Sequence, residues 1–375
     1  MVAVGATPAS PGAEGLTQAL RTDLDAPGAA EARQAAVANL TAGGGDGVRL
    51  VQANSLWARA SIRPEFADRV QATFGADVRP LAGAAPINAW VADKTEGKIA
   101  SIVDDMTASN PQTSAILVNA VYFKGLWQSP FSPSASHVGT FRAPGAGASG
   151  VPAVMMHQTL TAHFAQLPSG AAAVALPYGK SGRFRLLLAL PPLPGGGSVP
   201  ADSAPDWEPP ARSAAQPAAL AAAAASLAAD RAHMAELRTA LAPRRVEVTL
   251  PRFTMQDGAA GPRDLGPVLQ AMGLGPAFRS DGQFLPMSAD PRLRLSQVLH
   301  RAVIEVTEEG TEAAAATAAV MMTRSVQMRP PRFVADRPFV LAIEDGQSGA
   351  PLFLGLVVSP HFPGVDELRA SSAAV

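Results

Sequence analysis

Hydrophobic residues in the first third of the chain recur at helical spacing, which predicts helices on both sides of a single strand. Residues 15–24 and 29–40 contain no interior proline, and the glycine-rich sequence TAGGGDG at 41–47 would end the second helix. Residues 48–57 have a strand-like pattern, and residues 64–74 return to helical spacing.

The sequence INAWVADKTEGKI at 87–99 predicts a further helix with one apolar face. Ile87, Trp90 and Val91 fall on one stripe of such a helix, and Gly97 is suited to end it. We expect this aromatic and aliphatic face to lie over a flat surface such as a sheet.

From residue 113 onward the pattern changes to apolar, β-branched segments. SAILVNAVYFKGLW at 114–127 shows little polar alternation, which is typical of a strand covered on both faces. Residues 192–217 are rich in Pro, Gly, Ser and Ala and predict an inserted surface loop, followed by one helix over 218–241. Since no repeat or regular βαβ alternation is present, the predicted fold class is α+β. Further strands are predicted at 183–190, 245–250, 293–304, 339–343 and 352–358.

Composition excludes several classes of function. The chain has 375 residues, 47% of them hydrophobic, and a net charge of −1, so nothing favours binding to nucleic acid or to an anionic membrane. It contains no cysteine, which excludes disulfides, thiolate catalysis and zinc–thiolate sites. No apolar run approaches the roughly 20 residues of a membrane span, and the chain as given shows no signal peptide.

Enzyme and metal motifs are not found in the sequence, so neither a metal nor a cofactor is expected. HExxH, GxSxG and the phosphate-binding GxxxxGK[ST] pattern do not occur. GAGASG at 145–150 matches GxGxxG by chance, because it lies in a Pro/Gly loop with no helix after it. His300 in LSQVLHRAVIEV could be a catalytic base or a hydrogen-bonded core residue, and we favour the second interpretation because no nucleophile motif accompanies it.

Five segments, in order along almost the whole chain, resemble the serpins, the serine protease inhibitor superfamily. They are INAWVADKTEGKI (87–99), VNAVYFKGLWQSPF (118–131), VEVTLPRF (246–253), LSQVLHRAVIEVTEEGTEAAAATA (295–318) and FVADRPFVLAIEDGQSGAPLFLGLVVSP (333–360). The resemblance implies one α+β domain over 1–360 with three β-sheets, eight or nine helices and an exposed reactive-centre loop at 308–332. Residues 361–375 would be a C-terminal tail.

The stretch EVTEEGTEAAAATAAVMMTRS at 305–325 has two physical interpretations. Alanine favours a helix, with Thr307 or Thr311 as its cap, although the glutamate of a capping box is missing. As a strand, it directs only small uncharged residues to one face: Thr311, Ala313, Ala315, Thr317 and Ala319. The other face carries Glu312 and the alanines Ala314, Ala316 and Ala318. The segment could therefore slide between two existing strands without a steric or desolvation penalty on its buried face.

The resemblance implies suicide inhibition of a serine protease. The protease would cleave after Arg324, and the freed loop would insert into the main sheet, a mechanism of strand addition known for this family. An arginine before Ser325 predicts a trypsin-like target, whose specificity pocket holds a carboxylate. Cleavage after Met321 or Met322, by elastase-like or chymotrypsin-like enzymes, is the alternative, as is a non-inhibitory serpin that acts as a binding or carrier protein.

Supporting roles are also implied by the resemblance. Trp127 matches the tryptophan beneath the point where the loop enters the sheet, and Asn119 and His300 match a polar pair where strands must part. The hinge comprises Glu308, Glu309, Gly310, Thr311, Glu312, Ala313, Ala314, Ala315, Ala316 and Thr317, with Gly310 giving it freedom to turn.

The chain departs from the family pattern at its start. Residues 1–20 match only from midway through the family's second helix, which implies an N-terminally truncated serpin or a misplaced start, without the serine usually found near Asn119 and His300. Arg33 is the only basic residue in 29–40, where some members bind glycosaminoglycans, so no heparin-type activator is expected. A monomer is expected in an extracellular or periplasmic location, with the cytoplasm as the alternative.

Overall fold

The structure, a computed structural model, describes residues 35, 47–145, 150–193, 217–256, 261–280, 282–310 and 330–373. The helices predicted at 15–24 and 29–40 therefore lie outside the described residues apart from residue 35, as does most of the predicted inserted loop. The described residues form two compact units: one comprises Arg49–Phe123 and Gln256–Ile304, the other residues 47–48, Lys124–Met255 and 305–373.

Strands and helices alternate irregularly along the chain, as an α+β fold requires. The described α-helices are α1 (Pro64–Phe74), α2 (Ala84–Lys94), α3 (Asp105–Ser109), α4 (Pro217–Ala229), α5 (Arg231–Ala240), α6 (Gly266–Leu269) and α7 (Val365–Ala373). The strands are β1 (Val48–Ala58), β2 (Ala76–Pro80), β3 (Ala115–Gly125), β4 (His137–Phe141), β5 (Val151–Gln166), β6 (Ala172–Tyr178), β7 (Phe184–Leu190), β8 (Ala242–Pro251), β9 (Phe253–Gln256), β10 (Arg263–Asp264), β11 (Leu295–Val306), β12 (Arg332–Val334), β13 (Phe339–Asp345) and β14 (Pro351–Val357).

In the first unit, the strands of the sheet follow the order β10-β11-β3-β1-β2. β11 and β3 are parallel neighbours, paired from Gln297 with Ile116 to Ile304 with Phe123, with a bulge between Leu295 and Gln297. We call this parallel junction the seam. It lies between two strands that are far apart in sequence.

Both faces of β3 are covered, as its apolar sequence predicts. Val118, Ala120 and Tyr122 belong to a core cluster with the α2 residues, whereas Ala115 and Leu117 pack in a second cluster with α1. The predicted α2 stripe is also confirmed: Ile87, Trp90 and Val91 are all buried, and the cluster that contains them includes residues of three strands of the sheet.

In the second unit, the strands follow the order β12-β8-β5-β6-β7-β13-β14, with β4 also paired to β5. Three sheets were predicted, but hydrogen bonds join the described strands into two networks. The reason is the 16-residue strand β5, which pairs with β4 at its start, with β8 along its middle and with β6 at its end.

The single helix predicted over 218–241 is wrong, because the structure has two helices there. Asp230 has extended backbone angles between α4 and α5, and its carboxylate accepts a hydrogen bond of 3.0 Å from the backbone N–H of His233. Asp230 is therefore the N-cap of α5 rather than a residue inside a longer helix. Beyond 360, the predicted tail contains α7.

Replacing Asp230 with alanine should lower the free energy of unfolding by about 0.5–2 kcal/mol, since the first turn of α5 loses its side-chain acceptor. Glu236→Ala is the matched control, because this glutamate is exposed in the middle of the same helix. Urea unfolding would compare the two variants. Equal stabilities would show that Asp230 does not act as a cap.

Candidate functional site

The chain reverses direction directly after β11, at the turn Thr307–Gly310. The two end residues exchange backbone hydrogen bonds of 3.1 and 3.2 Å and form an antiparallel bridge. Gly310 has φ +100°, and a Cβ at this position would lie 2.0 Å from the carbonyl oxygen of Gly125. Gly310 is thus required for close approach as well as for turning.

Trp127 holds this turn from one side. Its indole N–H donates to the carbonyl oxygen of Thr307 at 2.8 Å, and its backbone N–H donates to that of Glu309 at 3.1 Å. The indole is buried and stacks on Tyr178, with ring centroids 4.3 Å apart. The position of Trp127 is therefore fixed by aromatic packing while its donors hold the turn.

Glu308 holds the turn from the other side. Arg252 donates to both carboxylate oxygens, from Nε at 2.9 Å and from Nη2 at 2.6 Å, and the Ser136 hydroxyl donates at 2.6 Å. We call Ser136, Arg252 and Glu308 the hinge clasp. Such a two-pronged arginine–carboxylate contact is among the stronger polar interactions in proteins.

Electrostatics keep the Glu308 carboxylate charged although only 4% of the residue is exposed. Burial raises the pKa of this carboxyl group, but the hydrogen bonds from Arg252 and Ser136 outweigh burial, and the pKa lies below its ordinary value of 4.5. The clasp is therefore formed at neutral pH.

A row of three polar side chains crosses the seam in the first unit. Asn119 of β3 lies opposite His300 of β11, and its Oδ1 is 2.6 Å from the histidine Nδ1. On its other side, Asn119 Nδ2 donates to Oδ1 of Asn54 in β1 at 2.6 Å. We call Asn54, Asn119 and His300 the polar row. Separation of β3 from β11 would break its contact across the seam.

Part of the predicted site is brought together and part lies outside the described residues. Trp127, Glu308, Glu309 and Gly310 meet at the turn, and Asn119 contacts His300. The reactive bond Arg324–Ser325 and the hinge residues 311–317 lie outside the described residues, so their assignment stays a prediction.

Sequence reasoning missed several of the residues described above. Arg252 and Ser136 are 56 and 172 residues from Glu308 in the chain, and no local pattern links them to it. Asn54 had a signal, since it is a polar residue within an otherwise strand-like segment, but its partner was not evident.

Neither a metal site nor a membrane-spanning helix is found in the part of the chain that the structure describes. No group of three or more His, Asp and Glu side chains there could hold a metal ion. No helix among those residues is long and apolar enough to cross a membrane.

Comparison with known proteins identifies relatives that cover most of the chain. The family model "Serpin (serine protease inhibitor)" matches residues 1–360. Glia-derived nexin of Mus musculus is 32% identical over 320 residues, covering 82% of this chain and 72% of the nexin. Human antithrombin-III is 32% identical over 325 residues, covering 83% of this chain and 63% of its own length.

A solved structure of native protease nexin-1 with heparin is similar in fold. Its TM-score is 0.75 at 25% identity, and the match covers 96% of this chain and 89% of the nexin. Because this neighbour was crystallised with heparin, the prediction that no heparin-type activator would act here is not supported. The predicted α+β fold class is confirmed by this comparison.

Replacing Glu308 with glutamine should lower the free energy of unfolding at pH 7 by about 1–3 kcal/mol, because charge-assisted hydrogen bonds are lost. Because the pKa of Glu308 is lower in the folded state, the charged carboxylate contributes its full stabilisation above pH 4.5. This contribution is lost as the pH falls through the folded-state pKa. The difference between the unaltered chain and Glu308→Gln should therefore narrow below pH 4.5 in urea unfolding experiments.

Glu309→Gln is the matched control for this experiment. Glu309 is the adjacent glutamate, and its carboxylate has no hydrogen-bond partner among the described residues. Its replacement should change the free energy of unfolding little at any pH. A Glu308→Gln difference that stays constant down to about pH 3 would contradict a charged clasp.

Proposed function

Since the chain belongs to the serpin family of serine protease inhibitors, we propose that it inhibits trypsin-like proteases as a suicide substrate cleaved after Arg324. The observation that carries this proposal is the turn at Thr307–Gly310. It reverses the chain at the end of β11, which supports an inserted strand that would run back along β11, between β11 and its neighbour β3.

The chemistry begins with attack of the protease serine oxygen on the carbonyl carbon of Arg324. The bond from this carbon to the nitrogen of Ser325 breaks, the new amine leaves with a proton from the protease histidine, and an ester joins the two proteins. The guanidinium group of Arg324 supplies the fork geometry that the carboxylate of a trypsin-like pocket binds.

Insertion then competes with hydrolysis of the ester. A strand placed in the seam would replace one parallel ladder by two antiparallel ladders, which are more stable per residue. On the order of ten additional backbone hydrogen bonds would form, each worth about 0.5–1.5 kcal/mol net. The small, uncharged face of 311–319 fits such a buried position.

Two sets of contacts oppose insertion in the intact protein. The hinge clasp and Trp127 hold the turn closed, and the polar row holds β3 to β11. Cleavage removes the tether on the far side of the loop, so insertion no longer has to stretch the chain. We therefore propose that these contacts delay insertion until a protease has acted.

The proposed partner is a serine protease, bound one to one by a monomer. We further propose an extracellular or periplasmic location, where such proteases act.

Mixing the chain with trypsin should give a covalent complex that survives boiling in SDS, visible as a heavier band on a gel. Arg324→Ala should abolish this band, whereas Arg332→Ala, which removes an arginine beyond the reactive bond, should leave it unchanged. Cleaved chain with only free trypsin would count against the proposal, and complexes with elastase but not trypsin would move the reactive bond to Met321 or Met322.

Thr311→Arg should convert the inhibitor into a substrate, because a charge would enter the buried face of the inserted strand. The fraction of protease trapped should fall by about tenfold or more, since an unpaired buried charge costs several kcal/mol. Glu312→Arg places the same side chain on the opposite face and should largely preserve trapping. Equal trapping by the two variants would refute the assignment of the faces.

A further inference from the structure

A polar pocket lies within the first unit, at the end of the seam where β3 and β11 begin; we call this end the foot of the seam. Its volume is ≈ 330 Å³, and its lining includes Asn110, Gln112 and Thr113 before β3, Gln270, and Arg294 and Ser296 at the start of β11. We call it the base pocket. No acidic residue is among the described residues that line it.

Arg294 supplies the positive charge of the base pocket. Its guanidinium group donates to the backbone carbonyl of Gln112 at 2.9 Å and to the hydroxyl of Ser280 at 3.0 Å, and no described carboxylate pairs with it. Arg292, two residues earlier, differs because its guanidinium group contacts both carboxylate oxygens of Asp290 at 3.1 Å. Among the described residues, Arg294 therefore has no acidic partner, whereas Arg292 has one.

The turn after β11 determines which loop residues would reach this pocket. The antiparallel bridge between Thr307 and Gly310 sets the register of any strand that continues back along β11. Continued to the foot of the seam, that register places Met321 opposite Ser296 and Arg324 opposite Leu293. The bulge between Leu295 and Gln297 shifts this register by one residue. A shift of that size lies within the reach of an arginine side chain.

Insertion would also change the surroundings of Arg294. A new strand moves β3 and β11 apart by about 4.8 Å. The Arg294 contact with Gln112 crosses the seam, and so does the 2.8 Å hydrogen bond from the backbone N–H of Ser114 to the hydroxyl of Ser296. Insertion would break both hydrogen bonds. The guanidinium group of Arg294 would then lack one of its acceptors, next to the position that the end of the inserted loop would occupy.

We propose that the base pocket binds the terminal carboxylate of the cleaved loop and that Arg294 is the residue that binds it; this inference rests on the proposed function. The carboxylate forms when water hydrolyses the ester at Arg324: the bond from the carbonyl carbon to the serine oxygen breaks, water supplies the hydroxyl of the new acid and the proton that returns to the serine, and the acid then loses its proton to solvent. The ester of the trapped complex is uncharged, so the pocket favours the hydrolysed form over the esterified one.

Two peptides with the sequence of 311–324, TEAAAATAAVMMTR, test this recognition on the intact chain. Both are acetylated at the N-terminus; one ends in a free carboxylate and the other in an amide. Uptake is measured as the rise in melting temperature against peptide concentration. The acid should reach half-saturation at a concentration about tenfold lower than the amide, because only the acid offers a charged acceptor.

Arginine variants assign the effect to a residue. In Arg294→Gln, the half-saturation concentrations of the acid and the amide peptides should differ by no more than about twofold. Arg292→Gln, which removes an equal charge nearby, should keep the preference for the acid. Arg294→Lys should keep only part of it, since lysine has the charge but not the fork.

The outcomes separate this inference from the proposed function. If both peptides raise the melting temperature equally in the unaltered chain, or if Arg292→Gln rather than Arg294→Gln removes the preference, the inference is overturned while insertion stands. If neither peptide raises the melting temperature and cleavage of the loop does not raise it either, the chain does not insert, and the proposed function fails together with the inference.

Discussion

The parallel pairing of β3 with β11 is the interaction on which the proposed activity depends. Parallel ladders are somewhat less stable per residue than antiparallel ones, and this pair joins residues that are about 180 positions apart, from Ala115 with Leu295 to Phe123 with Ile304. A strand that entered between them would run antiparallel to both. In the proposed function, the sheet is therefore stable as it stands and would still gain hydrogen bonds by accepting a further strand, which is the physical condition for a delayed conformational change.

In the proposed function, the delay comes from contacts that opening of the seam would break. At one end, Glu308 is fixed by Arg252 and Ser136, and the turn is tied to Trp127. Midway along the seam, His300 contacts Asn119. All of these contacts are polar and directional, so they lose most of their energy over a small displacement, whereas the gain from an inserted strand accumulates residue by residue. Because of that difference, insertion in the proposed function would first meet a free-energy barrier and then proceed downhill.

Much of the scaffold was predictable because it depends on local pattern. The uninterrupted apolar run of β3 predicted a strand buried on both faces, and the stripe of Ile87, Trp90 and Val91 predicted α2 and its buried side. β5 was not predicted, since it alternates polar and apolar residues irregularly and contains Pro152. The break at Asp230 was also missed, because alanine propensity on one side and amphipathic spacing on the other looked continuous.

The candidate site was less predictable, for a reason visible at residues 305–325. In the closed state, Gly310 must be glycine because the backbone of 125–127 leaves no room for a Cβ, and Glu308 must be acidic because Arg252 faces it. Neither requirement can be inferred from neighbours in sequence, since each comes from a contact formed by folding. Under the proposed mechanism, the alanines that follow meet a different requirement, a small side chain on the buried face of an inserted strand. In the proposed function, adjoining residues of one short stretch therefore meet the demands of two different states, the closed hinge and the inserted strand. In that proposal, the division accounts for a stretch whose sequence alone leaves both a helix and a strand open.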